Sequence, residues 1–208
     1  MNNYEYIIAS LPAISTDWKF ADKTPEDYLA EIKSQCSKAD CEVIDFLREG
    51  LADENLDRDF YLRAFAHKNR FIRDYFLFDM NVRNAKVRYL NTALSREKGK
   101  DVMDLPEGEF EQAQALETIF AGNDILARER ALDDLVWDKI SELTIFNYFD
   151  INAILGFIAK LHIVARWYKL DERTGRERFR KLVDEVRGTF KGVNYSPEAS
   201  LKQITDTK

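Results

Sequence analysis

Phe149-Asp150-Ile151-Asn152 opens an apolar, helix-patterned run that continues to Trp167, and the same step stands 71 positions earlier as Phe78-Asp79-Met80-Asn81. Each copy follows an aromatic-rich run and leads into an amphipathic segment. Apolar residues recur at intervals of three and four on both sides of each step, which is the period of a helix with one buried face. The chain therefore reads as all-α: an elongated helical bundle of two related halves with long antiparallel helices.

Working outward, the first copy lies in a pattern that stays helical for about 40 residues from Leu56, equivalent to about 60 Å at 1.5 Å per residue. Phe60, Ala64, His67, Phe71, Tyr75 and Phe78 form one row, and Tyr61, Phe65, Ile72 and Phe76 form a second. Met80, Val87, Leu90 and Leu94 carry the stripe past Asp79. In the second half Asp124 is placed to cap a helix with Ile125, Leu132, Val136, Ile140, Leu143 and Phe146 inward. Ile154, Ile158, Leu161, Ala165 and Tyr168 continue it after the second step, and Arg176 to Phe190 forms a last amphipathic helix. The halves are drawn as 1–98 and 107–192, joined by the charged loop Ser95–Glu107 as a hinge, with 193–208 as a frayed tail. Gly50 and Gly122 each end a shorter helix, Gly50 as a left-handed C-cap. Both precede their F-D-x-N step by almost the same distance, which fits an internal duplication or chance recurrence of helical patterning.

Nearer the N-terminus, Tyr4 to Leu11 is a short apolar strand or helical turn closed by Pro12. Thr24-Pro25-Glu26-Asp27 is a helix start, with an N-cap, proline at the first helical position and a capping box to Asp27. Another helix runs from about Ser37 to Glu49.

The chain has only 8 Gly and 4 Pro against 14 Phe and 9 Tyr, which favours long helices packed on aromatic side chains. A net charge of −6 with no basic block argues against nucleic acid as a partner. Cys36 and Cys41 lie too close along a helix to face each other, so no disulfide is expected and a reducing cytoplasm suits the composition. The longest apolar run, Ala153 to Ala159, is too short to span a bilayer. Met1-Asn2-Asn3 lacks the basic start of a secretory signal.

Neither histidine, His67 or His162, carries metal-site spacing, and there is no phosphate loop or nucleophile elbow. No catalytic residue, cofactor or metal is expected. A remote alternative, an isoprenoid-type enzyme, would use Asp134 and Asp138, which share a helix face, to grip diphosphate through Mg²⁺; a solvated charged face explains Asp133, Asp134 and Asp138 as well. Asp79 and Asp150 suit helix N-caps after a kink, or positions that face a partner. One continuous helix with a buried polar pair would instead need donors such as Arg73, Arg83 or Arg88. Arg166 and the other arginines either pair within the chain or stud a contact surface. Trp18, beside Phe20 in a loop, is the best candidate for an exposed anchor.

The opening Tyr4-Glu5-Tyr6-Ile7-Ile8-Ala9-Ser10-Leu11-Pro12 resembles the N-terminus of a small bacterial family encoded within V-type ATPase gene clusters. Phe149 to Leu161, F-D-I-N-A-I-L-G-F-I-A-K-L, resembles that family too. The D-x-N step followed by a helix and an arginine (Asp79, Asn81, Arg88) is loosely similar to the repeated element of the V-type C (d) subunit, an all-helical protein that seats the rotor shaft on the membrane ring. The resemblance implies a non-catalytic component of a V-type ATPase or ATP synthase, in proton or ion transport. It would be cytoplasmic and peripheral to the membrane, with ATPase stalk or ring subunits as partners. A free-standing helical adaptor is the alternative. The residues implied in structure or interaction are Phe78, Asp79, Asn81, Arg88, Phe149, Asp150, Asn152, Arg166 and Trp18.

Overall fold

The computed structural model describes residues 3–108, 110–169, 180 and 183. Among them the fold is all helical, without a strand. Residues 1–166 make one compact unit and 167–208 a second. The expected helix Arg176–Phe190 and the tail beyond it lie outside the described residues, apart from Arg180 and Val183, which are helical.

Capping chemistry sets most of the helix starts. Tyr4–Ser10 is α1, so the N-terminal apolar segment is helix. In α2 (Pro25–Gln35) Thr24 accepts from the Asp27 amide and Asp27 returns the bond, with proline at the helix start as the sequence predicts. The same reciprocal box joins Ser37 and Asp40 at α3 (Lys38–Leu51). Asp40 is buried, and its other oxygen accepts from the Tyr4 hydroxyl at 2.8 Å, which fastens α1 to α3.

Gly50 does not cap α3; it lies inside it, and Ala52 is the C-cap. A Cβ at Gly50 would stand 2.3 Å from both the Phe60 and the Phe76 ring, so the residue is small because two aromatic rings press against the backbone. Those rings meet edge to face at 4.9 Å, and Phe46 stacks on Phe60 at 5.1 Å. Ile44, Leu47, Phe60, Ile72 and Phe76 are fully buried here.

The long helix expected from Leu56 is broken into α4 (Arg58–Phe65) and α5 (Arg70–Ala93), and the break lies at 66–69 rather than at Asp79. Asn69 starts the second helix: its side-chain oxygen accepts from the Ile72 amide, and its backbone amide donates to His67 Nδ1. Arg73 reaches back to the His67 and Lys68 carbonyls at 2.7 and 2.9 Å. Two carbonyls of the link between α4 and α5 are thereby met by one guanidinium.

Helix α5 is the element against which α4, α6 (Ala113–Phe120) and α7 (Ile125–Thr144) pack. Its first half buries Phe71, Ile72, Tyr75, Phe76, Phe78 and Met80. Its second half carries a smaller core in which Tyr89 stacks on Phe120 at 5.0 Å, beside Leu116 and Leu132. Leu90 and Leu94, expected on the inner stripe, are exposed. The helix closes with Ser95 in the left-handed region (φ 53°), the Arg96 amide bonding the Asn91 carbonyl and the Ser95 amide the Thr92 carbonyl; this is the double bond of a Schellman ending with serine in glycine's place. Asp124 caps α7 through the Leu126 and Ala127 amides. Helix α8 (Ile151–Lys169) buries residues around most of its circumference, and Gly156 lets it approach Thr144 and Ile140 of α7.

Gly50→Ala is expected to destabilise the fold by about 1–3 kcal/mol, because the added methyl overpacks two rings held by the rest of the core. Urea unfolding of the variant against the wild type measures it.

Candidate functional site

The two F-D-x-N steps have different structures. Asp79 is not a cap: it sits in the unbroken middle of α5, where its Oδ2 accepts from the Tyr61 hydroxyl at 2.7 Å and from Arg83 Nε at 2.8 Å. Arg83 is thus the donor that a continuous helix requires, and its Nη2 also donates to Asp53 at 2.8 Å. Asp150 is a cap: its Oδ1 accepts from the Asn152 and Ala153 amides at 2.8 and 3.2 Å. Identical letters separate because an arginine stands four residues after Asp79, whereas Ile154 stands four residues after Asp150 and has no donor to hold a mid-helix carboxylate.

Around Asp79 a cavity of about 200 Å³ is lined by charged side chains from α5, α7 and α8. The ion pairs are Arg83 with Asp79 and Asp53, Lys86 with Glu129 at 2.7 Å, and Arg166 with Asp133, which is buried. Burial, then the nearby Asp79 charge, pushes the Tyr61 phenol well above its usual range, and the same two causes act on Tyr75. Burial opposes the charge on Arg83, but Asp79 and Asp53 more than offset it and raise the guanidinium further. The Arg83 hydrogen bond holds the Asp53 carboxyl low. Phenols held in the protonated form and carboxylates paired with arginine and lysine make a brace between helices. Asp134 carries Arg130 at 3.8 Å. Among the described residues no three His, Cys, Asp or Glu side chains are grouped to hold a metal ion. Burial raises the Cys36 thiol to about 11 and keeps it from the reactive thiolate form.

Asn81 and Arg88 belong to a stripe that sequence reasoning missed. Asn81, Asn84, Arg88 and Asn91 recur at three, four and three along α5, a heptad face made of polar groups. They lace the loop 95–108 onto the helix. Asn81 Nδ2 donates to the Glu107 carbonyl at 2.8 Å, Asn84 pairs with the Met103 backbone through both ends of its amide, and Asn91 donates to the Lys100 carbonyl at 2.6 Å. Arg88 forms an ion pair with Glu107. The segment expected as a hinge is fastened along its length.

Three further expectations are corrected by burial. Trp18 is half-buried, edge-on to Phe20 at 4.9 Å and to Tyr28 at 5.9 Å, so it is no exposed anchor. Ile125, expected inward on α7, is exposed. Phe146, also expected inward, is 85% exposed and Phe149 58%, whereas Phe78 is buried as expected.

Those two phenylalanines belong to an exposed apolar turn. In the turn between α7 and α8 the polar residues face in and the apolar residues face out. Asn147 donates its side chain to Asp150, Asp150 caps α8, and Asn152 Oδ1 accepts from Asn69 Nδ2 at 2.8 Å. With the polar side chains occupied inside, Ile145, Phe146, Tyr148 and Phe149 are left exposed within five consecutive positions. The turn is also tied by its own backbone, the Asn147 amide bonding the Thr144 carbonyl at 2.9 Å. Phe149, Asp150 and Asn152 are therefore brought together at one site, but Phe78, Asp79, Asn81 and Arg88 are not part of it.

A family model described as "Protein of unknown function (DUF2764)" matches residues 90–189. The matched stretch takes in α6, α7, the exposed turn and α8, and leaves out Tyr4–Pro12 and the first F-D-x-N step. No curated protein and no solved structure matches the chain significantly.

Glu107 supplies a pH dependence. The Arg88 hydrogen bond, helped by Asn84, holds its carboxyl below the ordinary range. A lowered folded-state pKa contributes stability that is complete above the unfolded value of about 4.3 and is lost as the pH falls through the folded value. The stability of the wild type is expected to drop more steeply in acid than that of Glu107→Gln, with faster amide exchange in 95–108. Parallel pH series of unfolding and hydrogen exchange on the two proteins check this.

Proposed function

We propose that the protein is a non-catalytic component of a V-type ATPase or ATP synthase that docks on the complex through the turn between α7 and α8. One observation carries the docking surface: four large apolar side chains stand exposed on a turn whose polar side chains are turned inward. Exposed apolar residues scattered singly are ordinary, but a contiguous group marks an interaction site. Because the Asn147–Asp150–Asn152 bonds hold the turn, Phe146 and Phe149 are presented with little freedom to lose on binding, which favours affinity. Aromatic side chains of this kind are the usual anchors of protein interfaces.

The identity of the machine rests on the resemblance of Tyr4–Pro12 and Phe149–Leu161 to the family of the V-type ATPase gene clusters. The second of these stretches contains Phe149 and the cap of α8. A cytoplasmic place at the base of the rotor, like that of the C (d) subunit, suits a chain with an acidic surface in which, among the described residues, no helix is long and apolar enough to cross a membrane. It also suits the bracing of α5: a helix pinned along its length by ion pairs and asparagine bonds resists bending better than one held by loops, and a part that transmits torque needs that stiffness.

The test uses a tagged copy in the native host, as wild type and as the double variant Phe146→Ser, Phe149→Ser. The variant is expected to stay within about 0.5 kcal/mol of wild-type stability per substitution, as exposed positions do, and to lose co-purification with ATPase subunits. Membranes from a deletion strain are expected to lose coupled ATP-driven ion pumping, restored by the wild type alone. Equal recovery of ATPase subunits by the variant would overturn the docking surface. Fully coupled pumping without the protein, or capture of unrelated proteins only, would overturn the ATPase assignment.

A further inference from the structure

We propose that the cavity between α5, α6, Gly108 and Phe110 binds a small molecule with an apolar body and one protonated amine, the amine pairing with Glu117 at the rim. The cavity measures about 680 Å³, within the range of roughly 300–1,000 Å³ typical of small-molecule sites. Ala85 and Tyr89 of α5 line it together with Leu116 and Phe120 of α6, each pair four residues apart. Alanine at 85 leaves the space between the helices unfilled. Tyr89 and Phe110 are half-buried, so part of the apolar wall is already open to a guest, with no movement of the chain required.

The charge of the guest follows from the rim. Arg88, Glu107 and Glu117 all line the cavity. Arg88 and Glu107 form an ion pair, and Glu107 also accepts from Asn84 Nδ2 at 3.0 Å, so these two charges neutralise each other and are held in place. Glu117 is exposed, and among the described residues its carboxylate has no partner. The cavity therefore carries one uncompensated negative charge beside apolar walls. An apolar body gains by leaving water there, while a carboxylate or phosphate on the guest would meet Glu117 as a like charge. The lining fits a cation whose charge stands at one end. Because the Glu117 carboxylate is in water, its pairing contributes selectivity more than affinity, and burial of the apolar body drives binding. This site shares no residue with the exposed turn and does not depend on its reading.

Tryptamine, 3-ethylindole and indole-3-propionate share one apolar body and carry a positive charge, no charge and a negative charge. Each is titrated into the full-length protein at low salt and followed by amide chemical shifts and calorimetry. Tryptamine is expected to bind about tenfold more tightly than indole-3-propionate, as an exposed attraction exchanged for an exposed repulsion allows. The neutral probe is expected between them, and the shifts are expected to centre on α6 and the facing part of α5. Glu117→Gln is expected to draw the affinities together while leaving that of 3-ethylindole unchanged, and Ala85→Phe, which fills the cavity, to abolish binding of every probe. No binding of tryptamine up to its solubility, equal affinities in the wild type, a preference undiminished by Glu117→Gln, or undiminished binding by Ala85→Phe would each overturn the proposal. So would binding at these residues of an amphipathic leucine-lysine peptide alone, which would give the groove to a partner helix. Should Ala85→Phe fail to fold, the probe series on the wild type and Glu117→Gln decides alone.

Discussion

The Asn69 amide is used at both ends, and the helix arrangement depends on it. Its oxygen caps α5 at Ile72, and its nitrogen donates to Asn152 in the first turn of α8, 83 positions away. One side chain therefore joins the start of α5 to the first turn of α8. Arg73 and His67 complete the junction by taking up the carbonyls and the amide that the break exposes. Without a cap at 69 the apolar stripe from Phe60 to Phe78 could run on as one helix, and the edge-to-face contact of Phe60 with Phe76 could not form across a bend.

From that junction α5 changes character along its length. Its first half is held by aromatic burial, an interaction without direction that tolerates small adjustments. At Asp79 and Arg83 the holding passes to directed bonds. Beyond them asparagines take over, and they carry a loop rather than another helix. A buried ion pair by itself is weak evidence of stability, because desolvation offsets the attraction. Here Asp79 also accepts from Tyr61, and Arg83 also reaches Asp53, so each charge makes more than one bond. The value of the network lies in fixing the angles between α4, α5 and the turn at Asp53, which a slippery aromatic face leaves open.

Much of the fold was legible from local chemistry. Thr24 and Asp124 declare their helices because a cap needs only neighbours in sequence, and the three-and-four spacing of Phe60, Phe71, Tyr75 and Phe76 marks a buried face correctly. What stayed hidden was decided by distant residues. The break at 66–69 is invisible in a periodic stripe that runs straight through it; Asn69 caps α5 while Asn152 accepts from its side-chain nitrogen, and Arg73 holds the carbonyls just before it. Phe146 reads as core because it keeps the helical rhythm of α7, although the helix ends at Thr144 and the rhythm no longer applies. Gly50 reads as a helix end, the commoner use of the residue, while its real constraint is two rings that approach from elsewhere in the chain. The stripe Asn81, Asn84, Arg88, Asn91 had a readable signal in its heptad spacing, which an analysis of apolar periodicity passes over.

The Asn69–Asn152 bond couples the α4–α5 junction to α8. A double-mutant cycle measures it most directly, with Asn69→Ala, Asn152→Ala and the double variant unfolded in urea. The account predicts a coupling energy of about 0.5–1.5 kcal/mol, the net worth of one such bond, with Asn69→Ala the more costly single change because it also removes a cap. Additive losses, with no coupling between the two positions, would contradict it.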